Sequence, residues 1–547
     1  MTDHQHGGTA DIDNNVLISG ADDGSGRGSG LSRRTLLGAA AVAAPLGLGL
    51  AGCGSASSGA SAETTASTGT AAKGGSMRIA RPPASSAESL DPASSLSAYE
   101  YLGALYNRLV KQAEDGSVLP DLATSWEPTN GGRTWTFTLR RGVTFHNGKA
   151  FTSADAAYTL THILDPKTNS PQAAVLSPFL SASGIFTPDD HTLVVQLSSP
   201  NAEFPSLLMN YNCYVIPDGS AKTIGSKGIG TGPFKLKSFV PAGQGTVLAN
   251  KDYYGGEPVL DSIVFTAIAD IQARVNALLA GQVDLIAQTN IDYATSKTVA
   301  ASSIATTATV KNAEWYVLPM LTTASPFTDV NVREAFKIAY EPKDLLDLAL
   351  HGRGSVANNN PVPPTDANYL DYTVTPDPDK AKSLLSAAGL SSATQQLYTS
   401  SYDAVLTPMA LAYQSSVKSA GMNISIQTAS ADSYYTNVWM QKPFCASYWY
   451  TGRPIDQLLN QIFRAGSSYN ETAWSDSQFG SILDAARKES DPAKRKQHYQ
   501  DAQKILVDRS GSIVPFFADR TTGLSKTVVN YKEYGFEFNY LSIGFAA

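Results

Sequence analysis

From Met77 to the C-terminus, strand-type and helix-type periodicities interleave, and no segment repeats at a fixed period. Met77-Arg-Ile-Ala-Arg81 begins a strand, and the spacing of Tyr101, Leu102, Leu105, Tyr106 and Leu109 predicts a helix over 98–110. Beyond an Asn130-Gly131 turn, Trp135, Phe137 and Leu139 alternate as in a half-buried strand. Asn147-Gly148 leads to a helix starting near Ser153, whose Asp155 suits the positive end of a helix dipole. Leu193, Val195 and Leu197 alternate again after Pro188-Asp189-Asp190. Asp329 is placed to cap a helix carrying Val332, Phe336 and Ala339. Phe479, Ile482, Leu483 and Ala486 fall on one helical face, and Pro492 opens a further helix with Tyr499, Ala502 and Leu506. The pattern is that of a mixed α/β chain. Its 547 residues exceed what one hydrophobic core holds, so two or three domains are expected.

Upstream the chain is an address rather than a domain. Residues 1–31 are polar and rich in Gly, Asp and Ser. Ser32-Arg33-Arg34-Thr35-Leu36-Leu37 then opens an apolar run to Leu50, short of the roughly 20 residues that span a bilayer. A charged flank followed by a short apolar region reads as a signal peptide, and Arg33 and Arg34 resemble a twin-arginine export signal. Leu50-Ala51-Gly52-Cys53 looks like a bacterial lipobox, with Cys53 lipidated as the first mature residue. The Gly/Ser/Ala/Thr tract that follows, in which Glu63 and Lys73 are the charges, reads as a flexible tether. A folded module held at the outer face of a bacterial cell membrane is therefore expected.

Composition removes some classes. A net charge of −7 argues against a nucleic-acid partner. Three cysteines cannot form a disulfide framework, and Cys213 and Cys445 are expected to be free, buried thiols. His146, His162, His191, His351 and His498 are widely separated and show no metal-ligand spacing, so no metal or other cofactor is expected. Ser415-Ser-Val-Lys418 matches the Ser-x-x-Lys spacing of penicillin-interacting enzymes, but the Lys-Thr-Gly partner is missing and the segment reads as a plain amphipathic helix. The chain is not expected to be an enzyme.

Late in the sequence, Trp449-Tyr-Thr-Gly-Arg453-Pro-Ile-Asp456 sets two aromatics and a fixed cation in a Gly/Pro loop. It lies between apolar Phe444–Tyr448 and a helix beginning near Asp456. Flat apolar walls beside a planar guanidinium suit a pocket for an organic ligand that carries an anion. A core loop with a surface arginine is the alternative.

Several segments, in order, resemble the family 5 extracellular solute-binding proteins of bacterial ABC importers, the peptide- and nickel-binding cluster. They are Leu109 to Glu127, Trp135 through His146-Asn-Gly148 to Asp155, Gly230-Thr-Gly-Pro-Phe234, Asn250-Lys-Asp-Tyr-Tyr254, Ala280-Gly-Gln-Val-Asp284, Phe327 to Phe336, and Ile513 to Phe517. The resemblance implies an α/β, two-lobed periplasmic-binding-protein-like fold with a hinge and an extra subdomain inserted in the first lobe. On it, 1–52 is the export signal and 53–76 the tether. Lobe one is 77–117, 180–315 and 514–547, the inserted subdomain is 118–179, and lobe two is 316–513. The hinge crossings are expected near Trp315–Leu318 and Val514.

The resemblance also implies a function: a monomeric, lipid-anchored protein that captures oligopeptides or peptide-like solutes by closing its lobes. It would deliver them to permease subunits served by a cytoplasmic ATPase. A sensor lipoprotein for a solute or metal chelate, without a transporter, is the alternative, and a Ser-x-x-Lys hydrolase a remote one. The ligand is expected at Tyr99, Glu100, Trp315, Tyr316, Ser400, Tyr402, Trp449, Tyr450, Thr451 and Arg453. Arg453 is suited to a carboxylate, and Glu100 is either an amine contact or a carboxylate favoured at a helix start. Two features depart from many peptide binders: Thr451 and Gly452 stand where those carry an aspartate after the Trp, and Ser400-Ser-Tyr402 lacks an arginine. Asp456 reads as a helix cap, and the run Arg487 to Lys496 as a solvated helix face.

Overall fold

The computed structural model describes residues 67–547 apart from 83–87, 96, 115, 288–289, 402, 431–432, 468 and 535–536. Arg33, Arg34 and Cys53 lie outside the described residues, as does Tyr402. Among those described, no helix is long and apolar enough to cross a membrane.

A ten-stranded mixed sheet is the frame. Its central strand, Ser76–Arg81, runs parallel to Ser262–Ala267 on one side and to Leu285–Ile286 on the other. Met77, Ile79 and Ala80 are fully or almost fully buried, as strands covered on both faces require. Between Ser76–Arg81 and Phe234–Ser238 of that sheet, the sequence makes a separate four-stranded antiparallel sheet. Its strands are Ala123–Thr129, Thr134–Leu139, Ile185–Asp189 and Thr192–Gln196, the last two lying beyond 179. Trp135, Phe137 and Leu139 face its core with Leu193 and Val195, as their alternation predicts.

Helix 98–110 is shorter than its periodicity predicts: it spans Tyr99–Leu105. Tyr106 turns to extended backbone, φ −126° and ψ 163°, and Val110–Gln112 becomes a strand paired with Val118–Pro120. The cause is a division of apolar residues between two cores. Tyr101 and Leu105 pack under the large sheet, whereas Leu109 and Val110 pack into the four-stranded unit. Downstream starts follow the sequence closely. Thr152 and Asp155 form a reciprocal capping box before Ser153–Leu164, Asp329 caps Val330–Ile338, and Asp491 caps Pro492–Arg509.

The long strand Ala305–Pro319 joins the frame to the second lobe. It pairs with Phe516–Ser525 along most of its length and ends with Leu318 opposite Ile513. Of the two expected crossings, Trp315–Leu318 lies on this strand, and Val514 lies in the link between Ser512–Ile513 and Phe516–Ser525, both of which pair with it. Past Pro319 the chain builds a second α/β core around the parallel pair Thr394–Ser400 and Asn423–Ala429. It returns to the frame through Ser447–Tyr450, which pairs with Glu314–Val317. Period-two alternation splits this strand between cores: Tyr316 and Leu318 pack into the second-lobe core, Trp315 and Val317 into the cluster of Trp449, Leu459 and Phe463.

Cys213 and Cys445 are both free and buried. Asp456 is not a helix cap. It is fully buried at the start of helix Ile455–Leu458, and Arg487 grips it with Nε at 2.8 Å from Oδ1 and Nη2 at 2.9 Å from Oδ2. The charge run is correspondingly not all solvated, since Arg487 makes this pair and Arg495 pairs with Glu203. Both arginines serve contacts between segments distant in sequence, which a helical wheel does not reveal.

Candidate functional site

A cavity of about 930 Å³ opens beside the long strand. Its wall takes Tyr99 and Glu100 from the first helix, Tyr211, Glu314 from the strand, Asp403 from the loop after Ser400, and the stretch Tyr450 to Arg453. That size suits a small to medium organic molecule.

The Trp449–Arg453 stretch is built from the inside out. Trp449 is 9% exposed, stacks on Trp315 at 6.1 Å between centroids, and donates its indole N–H to the buried carboxyl of Glu471. Trp439 donates to the other oxygen of Glu471 at 3.0 Å. Thr451 Oγ1, with one hydrogen to donate, lies 2.8 and 2.9 Å from the carbonyl oxygens of Asn312 and Ala313, pinning the loop to the long strand. Gly452 takes φ 92°, a backbone conformation that favours glycine, and turns the chain toward Arg453. The Arg453 guanidinium lies 5.2 Å from the Trp449 ring centre and donates from Nη1 to Tyr450 O at 3.0 Å. Burial lowers its pKa, against the opposing influence of the Tyr211, Tyr469, Tyr99 and Tyr450 hydroxyls. Among the described residues no carboxylate forms an ion pair with it.

Acids gather on the strand side. Residues 311–313 form a bulge opposite Phe516–Ser525, with Asn312 at φ 49°. Bulges re-aim neighbouring side chains, and here the next residue, Glu314, lines the cavity. The Tyr316 hydroxyl lies 3.1 Å from Glu314 Oε2 and 3.1 Å from Asp403 Oδ1. Burial, with Asp403 nearby, pushes the Glu314 pKa up to about 7 despite Arg520. Glu100 is pushed to about 7 by burial, against the pull of Arg81. Arg520 pairs with Glu533 at 2.6 Å. At another part of the wall Tyr293 stacks on His351, centroids 4.6 Å apart, with the Arg353 guanidinium 5.7 Å from the tyrosine ring.

Of the residues expected at the ligand, Tyr99, Glu100, Tyr450, Thr451 and Arg453 line this cavity. Trp315, Tyr316, Ser400 and Trp449 do not. Trp315 is fully buried behind the wall, and Trp449 supports the loop from the same side. Tyr316 is buried and reaches the site through its hydroxyl alone. Ser400 ends a strand of the second-lobe core, and Asp403 to Val405 take the place on the wall expected for it. Glu314, Asp403, Tyr211 and Tyr469 were not expected. Glu314 had a signal, an acid inside the apolar run Ala313-Glu-Trp-Tyr-Val-Leu318; the alternation within that run makes it share a face with Tyr316, not Trp315.

His146 holds a turn. Its Nδ1 accepts from Gly230 N at 3.3 Å, Nε2 donates to Gly232 O at 3.1 Å, and burial lowers its pKa to about 4. Ser415 and Lys418 are exposed at the end of helix Leu406–Ser416, away from the cavity. Among the described residues, no three His, Cys, Asp or Glu side chains gather as metal ligands.

Comparison with known proteins agrees with this architecture. Residues 117–470 match the family model described as bacterial extracellular solute-binding proteins, family 5. The chain is 27% identical over 444 residues to di/tripeptide-binding protein 3 of Pseudomonas aeruginosa, covering 74% of this chain and 82% of that protein. It is 31% identical over 316 residues to heme-binding protein A of Haemophilus influenzae, covering 52% of this chain and 56% of that one. Among solved structures, the periplasmic binding protein DppA of Helicobacter pylori in complex with a peptide superposes with a TM-score of 0.72 at 23% identity, covering 87% of this chain and 99% of that one. The fold is thus that of the two-lobed periplasmic binding proteins with an added subdomain. The chain belongs to the family 5 bacterial extracellular solute-binding proteins.

Proposed function

We propose that this protein is the solute-capturing component of an ABC importer, taking oligopeptides or peptide-like organic solutes outside the cytoplasm. The observation that carries the reading is the cavity itself: tyrosines wall it, and Arg453 stands in it without a carboxylate partner among the described residues. Tyrosine walls accept varied side chains at little entropic cost, while a guanidinium grips a carboxylate in a fixed orientation. A solute touching both lobes favours the closed state by its differential contacts, and the closed state is what a permease would recognise. Capture and release break no bond in the solute. The di/tripeptide-binding relative supports the peptide class.

In this reading Arg33 and Arg34 direct export, Cys53 carries the lipid that holds a monomer at the membrane, and permease subunits with a cytoplasmic ATPase complete the transporter. A thermal-shift screen of the full chain against peptides, sugar oligomers and nickel with histidine tests the class. A ligand at a hundredfold its dissociation constant adds about 2.7 kcal/mol of stability. Shifts from peptides are expected; shifts from sugars alone would overturn the peptide reading.

A further inference from the structure

One hydroxyl stands between two carboxyls that line the cavity. The Tyr316 hydroxyl has a single hydrogen, yet it lies 3.1 Å from both Glu314 and Asp403. Asp403 Oδ1 also accepts from Val405 N at 2.8 Å, so the carboxyl with fewer donors is Glu314, which is 5% exposed. Arg520, the guanidinium that acts on Glu314, is already engaged with Glu533 at 2.6 Å. A second, separate observation lies in the lining of the same cavity. Glu100 is 8% exposed, and its Oε1 has no hydrogen-bond partner among the described residues. Arg81, a cation that acts on it, forms a two-pronged pair with Glu88, both contacts at 2.6 Å. Glu100 and Glu314 therefore line the cavity with fewer donors than they can accept, beside Asp403, which backbone N–H groups of its own loop and Tyr316 already serve. Buried carboxyls left so are costly unless protonated or met by a cation.

We propose that the cleft contains a cation subsite formed by Glu314 and Asp403, with Glu100 lining the same cavity, and that its solute carries an ammonium or guanidinium group seated there. The inference rests on the reading of this cleft as the solute site, and it narrows the solute's chemistry. An ammonium brings three N–H donors and a positive charge, satisfying Glu314 while Tyr316 keeps its bond to Asp403. Before capture, Glu314 holds its proton below neutral pH, because burial beside another acid pushes its pKa up to about 7. Seating a cation expels that proton, so capture is accompanied by proton release.

Calorimetric titration of the full chain with matched probes tests this. The pairs are trialanine against N-acetyl-trialanine and Ala-Arg-Ala against Ala-citrulline-Ala, with spermidine as a cation that is no peptide. In at least one pair the charged member should bind about tenfold more tightly than its neutral partner. E314Q should reduce that preference to less than about threefold. Y316F, which removes the shared hydroxyl but keeps both acids, should retain the preference. Binding in two buffers of different ionisation enthalpy should show a released proton that E314Q no longer releases. Neutral members binding as tightly as charged ones, no charged probe binding at all, or a preference untouched in E314Q and E100Q would each overturn the subsite. If spermidine binds in an E314-dependent way and no peptide binds, the subsite stands and the peptide reading falls.

Discussion

Trp315 and Trp449 are direct partners on antiparallel strands, and their indoles stack with centroids 6.1 Å apart and planes 19° from parallel. The pair joins the hinge-proximal strand to the loop that carries Arg453, so the cation's position is set by a buried core contact. Trp449→Ala should therefore cost about 3–5 kcal/mol in stability, as for other large buried aromatics. Urea denaturation reads this. Trp449→Phe should cost less, yet not nothing, because it leaves the carboxyl of Glu471 with the Trp439 donor but without this one.

Asp456 and Arg487 form a second joint of the same region. Asp456 is wholly buried and Arg487 supplies two of its donors, so Arg487→Ala leaves an uncompensated charge. A loss of about 3–5 kcal/mol is expected by chemical denaturation. A loss below about 1 kcal/mol, typical of exposed pairs, would mean that the contact is solvated.

Stability should fall as pH rises through neutrality. Glu100, Glu314 and Glu471 are each held protonated up to about 7 by burial. In an unfolded chain a glutamate titrates near about 4.3. Between these values the folded protein binds more protons than the unfolded one, so the contribution is full below the lower value and lost as pH rises through the upper. The melting temperature at pH 6 should exceed that at pH 8, and the triple variant E100Q/E314Q/E471Q should flatten the slope. A melting temperature that rises over this range would contradict the assignment.

Much of the frame is written locally. The strand at Thr134–Leu139 and the caps Asp329 and Asp491 depend on alternation and on side chains within three residues of the turn they serve. Ordered family motifs from Leu109 to Phe517 carry the two-lobed architecture. The site was half legible. Tyr450 to Arg453 form one continuous stretch, and a Gly/Pro loop with a guanidinium announces itself. Glu314 was displaced by its neighbours Trp315 and Tyr316 because aromatics dominate the run, while the bulge at 311–313 that aims the acid inward has no composition signal. Asp456 read as a cap because its partner, Arg487, is 31 residues away in sequence. Side chains that meet across the cleft obey no spacing rule.

The central claim is that Arg453 binds the solute's anionic group in this cleft. Calorimetric titration of wild type and Arg453→Ala with the peptide giving the largest thermal shift tests it most directly. Because the guanidinium is half-buried, with one backbone bond and the Trp449 ring as its contacts and no carboxylate ion pair among the described residues, the variant should melt within about 2 °C of wild type. Its affinity should drop by at least about thirtyfold, the cost of removing one charged partner, about 2 kcal/mol or more. Equal affinity in the two proteins, with the fold intact, would contradict the account and move the anion's seat away from Arg453.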